Sequence, residues 1–306
     1  MNTRDRLLAS SVAVIWGLNF LAIHLSLEQF PPFFLVALRF TILAVPTIVL
    51  VPRPRVPVRY LIGYGLGFGT LQFLFLYLAM ATGMPTGLAS LVLQSSAPFT
   101  VLLGATLLRE RLTRDQVIGI IAAVLGLCIV GSQQAGTAAM LPFLLTLCGG
   151  LGWAFGNLCS RLARPEKPLR LTMWMSVVPP LPMLAVSLIV EGPARIAASA
   201  TGLGSATGLL ALAGLAYTVI IGTVLGSGIW TWLLSRHPAS RIAPFSMLVP
   251  LVGLSTAWLT LGEALTWIEI VGALVVVTGV ALGSGALGYR RERTQRAEPR
   301  VPQRSG

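Results

Sequence analysis

The chain has 306 residues, of which 55% are hydrophobic and only 10% charged. A water-facing domain carries about 25% charged residues, so this composition excludes a soluble fold. The net charge of +12 invites a nucleic-acid partner. All but one of the 22 basic residues, however, lie in loops or termini between apolar runs, where charge sets membrane topology and no nucleic acid is expected.

Apolar windows near 20 residues match what a hydrocarbon core of ~30 Å requires of a helix. Ten occur, at 7–27, 33–51, 60–82, 86–108, 115–132, 140–162, 169–190, 207–234, 241–261 and 266–288. A β-barrel would alternate over ~10 residues instead. The first window follows MNTRDR and is longer than a usual signal-peptide core. No small-x-small cleavage pattern follows it, so it reads as a retained first span.

In chain order, the first span carries IWGLNF, with Trp16 and Asn19 in its middle. The second carries Arg39, about six residues from its near end and so ~9 Å deep. The third is crowded with Gly63, Gly65, Gly67 and Gly69, then Gln72 and Tyr77. The fourth has Gln94, Ser95, Ser96 and Pro98. The sixth has Trp153 and Asn157; the eighth has Gly222, Gly226, Gly228 and Trp230; the ninth has Ser246 and Pro250. The fifth and tenth are nearly featureless, as expected of peripheral packing helices. Cys128, Cys148 and Cys159 all fall inside spans and read as small apolar residues.

Alternate loops differ sharply in basic residues. One set, which includes both termini, holds 20 of the 22; the other holds only Arg195, and Arg39 is inside a span. The positive-inside rule then places both termini in the cytoplasm. The basic stretch 289–306 reads as a disordered cytoplasmic tail.

The chain also repeats itself. At an offset of 153, Gly69-Thr70 matches Gly222-Thr223, Pro85 matches Pro238, and Tyr77 matches Trp230. The pattern E-x-L-T-x5-G-x6-G from Glu110 to Gly126 recurs from Glu263 to Gly279. Near the N-terminus the offset is 137, and Trp16 matches Trp153. Two halves of five spans follow, 1–135 and 136–288. Because five is odd, the second half is inverted. Charge agrees: RERLTR is basic, whereas its copy GEALTW has no basic residue. The expected fold is an all-α integral membrane protein with ten transmembrane helices in a 5+5 inverted repeat. In transporters so built, the site lies near the midplane between the halves.

These residues carry a resemblance. WGLNF at 16–20, ALRF at 37–40, GMPTGLASLVLQ at 83–94 and RERLT at 109–113 with its copy GEALT resemble the EamA branch of the drug/metabolite transporter superfamily. WGLNF, GMPTGLASLVLQ and the Asn157 region look especially similar to bacterial exporters of cysteine, O-acetylserine and related metabolites. The resemblance implies ten helices, a bacterial inner-membrane location and export from the cytoplasm. Its members export amino acids, nucleosides, drugs or polyamines, so aromatic amino acids, nucleosides and amphipathic cations stay open as substrates.

Polar side chains inside spans are expected to face the bundle interior. Trp16, Asn19, Gln72, Tyr77, Gln94, Ser95, Trp153, Asn157, Trp230 and Ser246 are therefore candidate substrate contacts. Each also has a plainer reading, as helix–helix glue or core packing. Pro98 and Pro250 interrupt matching spans and read as hinges or passive kinks. Arg39 needs a partner: either a structural ion pair near a gate, with Glu269 or Glu28, or a substrate carboxylate. No Asp or Glu sits mid-span, which leaves facilitated diffusion or a proton coupled through His24. A serine-type intramembrane enzyme finds poor support, because neither His24 nor His237 meets Ser227 at depth. No cofactor or metal motif is visible, and a monomer is expected.

Overall fold

The computed structural model describes residues 1–134, 139–237 and 239–283, without the side chains at 239, 240, 243 and 244. The expected tail at 289–306 and the boundary between 135 and 136 lie outside the described residues. Among the described residues all regular structure is helical. Eight helices are long and apolar enough to cross a membrane: α1 (Thr3–Leu27), α2 (Pro32–Leu50), α3 (Val58–Ala81), α4 (Thr86–Leu107), α5 (Arg114–Gln134), α6 (Met140–Ala163), α7 (Pro168–Val190) and α9 (Ala206–Arg236). The short helix α8 (Gly192–Ser199) precedes α9. After α9 come α10 (Ala239–Ser246), α11 (Leu248–Leu261) and α12 (Trp267–Gly283).

The ninth expected span, 241–261, is thus divided at Met247 into α10 and α11. At 1.5 Å per residue, α11 alone is ~21 Å long, short of a ~30 Å core; α12 is described for ~26 Å, up to the last described residue, Gly283. The seventh window is interrupted as well, at 176–179 between Pro168–Met175 and Pro180–Val190; the other described windows match the helices to within a few residues, since long apolar runs leave few alternatives to helix in lipid.

Helix starts follow local chemistry at α1, where Asn2 Oδ1 accepts from Asp5 N at 2.8 Å, and at α2 and α7, which begin on Pro32 and Pro168. Proline has no N–H to leave unpaired at that position. The lipid-facing surface is frankly apolar: Ile189 is 84% exposed, Trp267 81% and Leu181 78%. Trp258 is exposed as well; tryptophan suits a membrane–water interface.

In the interior, α3 packs on α6, α1 on α9 and α11, and α5 on α12. Small residues allow each approach. A Cβ on Gly67 would stand 2.6 Å from Gly156 N. Between α5 and α12 the contacts come in pairs. A Cβ on Gly119 would lie 2.6 Å from Gly279 O, and one on Gly126 2.8 Å from Gly272 O. Backbone carbonyls this near Cα atoms give close van der Waals packing and weak Cα–H···O contacts in place of side-chain interdigitation.

Candidate functional site

Two stretches wind as π-helix, one in each of the glycine-bearing helices α3 and α9. Gly65–Leu71 in α3 and Tyr217–Leu225 in α9 are π-helical. Within them the matched threonines back-bond in the same way. Thr70 Oγ1 donates to Gly65 O at 3.3 Å, and Thr223 Oγ1 donates to Thr218 O at 2.9 Å, each five residues back. Such π segments loosen the regular ladder and often occur at functional sites.

The first π segment lies against α6. Its Phe68 ring meets Trp153 edge-on, with centroids 5.7 Å apart. Phe68, Phe73 and Tyr77 then form a run of edge contacts along α3, each step about 6 Å. The second π segment lies against α1. Trp16 Nε1 donates to Gly222 O at 3.0 Å, Tyr217 OH donates to Ile15 O at 3.0 Å, and the Trp16 and Trp230 rings pack at a tilt with centroids 5.2 Å apart. A Cβ on Gly222 would stand 2.7 Å from Asn19 Oδ1, so the amide occupies the notch that this glycine leaves.

The proline-bearing helices are also linked. Pro250 cannot donate to the carbonyl of Ser246, four residues back, and Gln94 Nε2 donates to that carbonyl at 3.3 Å. Gln94 stands four residues before Pro98, inside a 3-10 turn over Leu93–Ser95 that breaks α4. Ser95 is fully buried against Gly150, where its Oγ has no partner. Both interruptions therefore meet between α4 and the α10–α11 break.

Not every candidate joins this constellation. Asn157 Nδ2 donates to Thr100 Oγ1 at 3.2 Å and so ties α6 to α4, away from Asn19. Gln72 is buried beside Gly149 and Gly152, its Oε1 without a partner.

The ion pair expected between Arg39 and Glu269 does not form. Glu269 belongs to a capping box: it accepts from Thr266 N at 2.8 Å and from Thr266 Oγ1, while Glu269 N bonds back to that hydroxyl. Its other oxygen accepts from Gln134 Nε2 at 3.0 Å. The same box closes at the start of α5 with Thr113 and Gln116. Glu28 pairs with His24 instead. Arg39, 5% exposed, donates Nη1 to Tyr77 OH at 2.9 Å and Nη2 to Thr223 Oγ1 at 3.0 Å. Its guanidinium sits over the Phe73 ring at 4.1 Å and near Phe40 at 5.4 Å.

Sequence reasoning missed three carboxylates. Glu263 accepts from Thr86 N and Gly87 N at 2.7 and 2.8 Å, capping α4 from 176 residues away. Glu191, steadied by Ser187, caps α2 through Phe33 N and Phe34 N at 2.7 and 2.9 Å. Asp5 meets His237 at 2.7 Å. Carboxylates suit the positive ends of helices. The one signal available was Glu263 in the repeated E-x-L-T. Its match, Glu110, binds Arg161 instead, at 3.0 Å. No three His, Cys, Asp or Glu side chains among the described residues are grouped to hold a metal.

The sequence motif of the EamA-like transporter family matches this chain twice, over residues 6–132 and 140–285. The chain belongs to the EamA-like transporter family. This EamA transporter is a multi-pass membrane protein and not an enzyme. It is 41% identical over 302 residues to a Salmonella typhimurium protein named "Probable amino-acid metabolite efflux pump", covering 97% of this chain and 99% of that one. An Escherichia coli protein of the same name is 40% identical over 297 residues, covering 95% and 98%. A "Probable terminal-alkyne amino-acid exporter" of Streptantibioticus cattleyicolor is 29% identical over 215 residues, 68% of each chain. A crystal structure at 19% identity shares the fold with a TM-score of 0.61, covering 95% of this chain and all of that one.

Proposed function

We infer that this EamA transporter exports small amino acids or amino-acid-derived metabolites from the bacterial cytoplasm across the inner membrane. The export follows alternating access between two inverted five-helix halves, 1–135 and 136–288, with both termini cytoplasmic. The identity of about two residues in five, along nearly the whole length, to two proteins named as amino-acid metabolite efflux pumps carries the substrate class.

The inverted repeat draws support from the paired contacts. A two-fold relation that exchanges Gly119 with Gly272 and Gly126 with Gly279 turns the 119–279 contact into the 126–272 contact, and both occur. Self-complementary pairing of this kind is what a two-fold axis generates. Matched π segments with matched threonine back-bonds point the same way. α10 and α11 act as one broken ninth span, as transporters use where a site or hinge is needed. Gln94, Ser95, Ser246, Asn19, Trp16, Trp230 and the hinge prolines Pro98 and Pro250 gather where the two halves meet, and they form the substrate path. Gln72, Tyr77, Trp153 and Asn157 support its walls.

The test is a panel of cysteine, O-acetylserine, threonine and phenylalanine offered to proteoliposomes of the purified chain. Saturable uptake of at least one is expected. Indifference to all four, alongside saturable uptake of a nucleoside or an amphipathic cation, would replace the amino-acid reading.

A further inference from the structure

We propose that Arg39 is the anchor for the substrate's carboxylate, set in a latent site on the second π segment that takes the α-carboxylate and α-ammonium of an amino acid.

Arg39 is enclosed by α2, α3 and α9, and none of its contacts is an acid. A guanidinium has five N–H donors. Two are used here, both on neutral hydroxyls, and Nε is buried with no partner. Aromatic faces soften the burial but do not neutralise the charge. A buried cation without a counter-ion is costly, and chains keep one where an anion comes to meet it. The forked, planar donor set fits a carboxylate in two-point fashion better than it fits two separate hydroxyls.

Other unsatisfied polar atoms sit on this turn or against it from α1. Thr223, which holds Arg39, lies next to Gly222, which abuts the unpartnered Asn19 Oδ1. Thr218 Oγ1, buried at the head of the same back-bond, also lacks a partner. The segment thus gathers a donor-rich cation and two unused oxygen acceptors. An α-amino acid presents the complement: a carboxylate for Arg39 and an ammonium for Asn19 and Thr218. Tyr77 and Thr223 hold the guanidinium while the site is empty, and the carboxylate displaces them.

This inference rests on the amino-acid reading of the function, and the experiment separates the two. Proteoliposomes of the full chain are assayed for uptake of the panel amino acids, with each one's carboxamide as competitor. The amide keeps the side chain and the ammonium but has no carboxylate charge. Wild type is expected to favour the carboxylate by about tenfold or more, the size of one charge-assisted contact. Arg39→Gln should erase that preference. Arg39→Lys, which keeps the charge and loses the fork, should bind more weakly but still prefer the carboxylate. If Arg39→Gln transports more slowly yet keeps the preference, the anchor assignment is overturned and the transport reading stands. If wild type moves no panel member, both fall. Should Arg39→Gln fail to reach the membrane, Tyr77→Phe and Thr223→Val are compared in the same competition. Each leaves Arg39 in place and frees a donor, so carboxylate affinity should rise relative to the amide. An equal loss for acid and amide in both variants would overturn the assignment.

Discussion

Gly279→Ala is the most exacting test of the α5–α12 seam. The added Cβ would stand 2.4 Å from Ala123 N and 2.7 Å from Gly119 O, whereas ordinary contact begins near 3.4 Å. Both obstacles are backbone atoms, which no rotamer change can move. The helices must therefore separate by about 1 Å, a gap that forfeits a quarter to a half of each van der Waals contact along the seam. Overpacking of this kind costs about 1–3 kcal/mol. The better helix propensity of alanine returns at most ~1 kcal/mol. A net loss of roughly 0–2 kcal/mol relative to wild type remains, and about 1–3 kcal/mol relative to a glycine-to-alanine change in open space, where the propensity gain is shared. Gly228→Ala is the control, because nothing lies within 4 Å of its would-be Cβ. It should be neutral or slightly stabilising. Unfolding midpoints of the purified proteins in mild detergent measure the difference. If Gly279→Ala unfolds at the same point as Gly228→Ala, the helices do not meet as described.

The matched glutamates should behave differently despite equivalent places in the repeat. Glu263→Gln replaces one accepting oxygen at the start of α4 by a donor and should destabilise by about 1 kcal/mol, as the loss of a helix cap does. Glu110→Gln should change stability little, because Arg161 is 61% exposed and surface pairs are worth ~0–1 kcal/mol; the same midpoint assay compares them. Glu269→Ala should lower stability by roughly 0.5–2 kcal/mol through its lost capping box while leaving the transport KM unchanged. A large rise in KM in that variant would restore Glu269 to a gating role.

Much of the architecture was legible because apolar length and charge alternation act locally. A run such as 7–27 has no option in lipid but a helix, and the helix is there. The site was legible by residue type but not by partner. Arg39 was visible as an anomaly, yet its holder Thr223 is 184 residues away, and no local pattern joins them. Glu269 looked like a counter-ion because the span boundaries put it near the same end of the bundle as Arg39. The Thr266-x-x-Glu269 spacing was a capping box that could have been read from the sequence. The π segments were foreshadowed by Gly69-Thr70 and Gly222-Thr223, but winding depends on tertiary packing against α6 and α1, which composition does not encode. The division at Met247 was likewise hidden inside a continuous apolar window.

Counterflow tests the central claim most directly. Proteoliposomes of the purified chain are loaded with an excess of an unlabelled panel amino acid and diluted into a trace of the same compound, labelled. A carrier that alternates between two faces predicts a transient accumulation of label above its external concentration, followed by decay. Simple equilibration without overshoot, at a rate that does not saturate, would contradict alternating access.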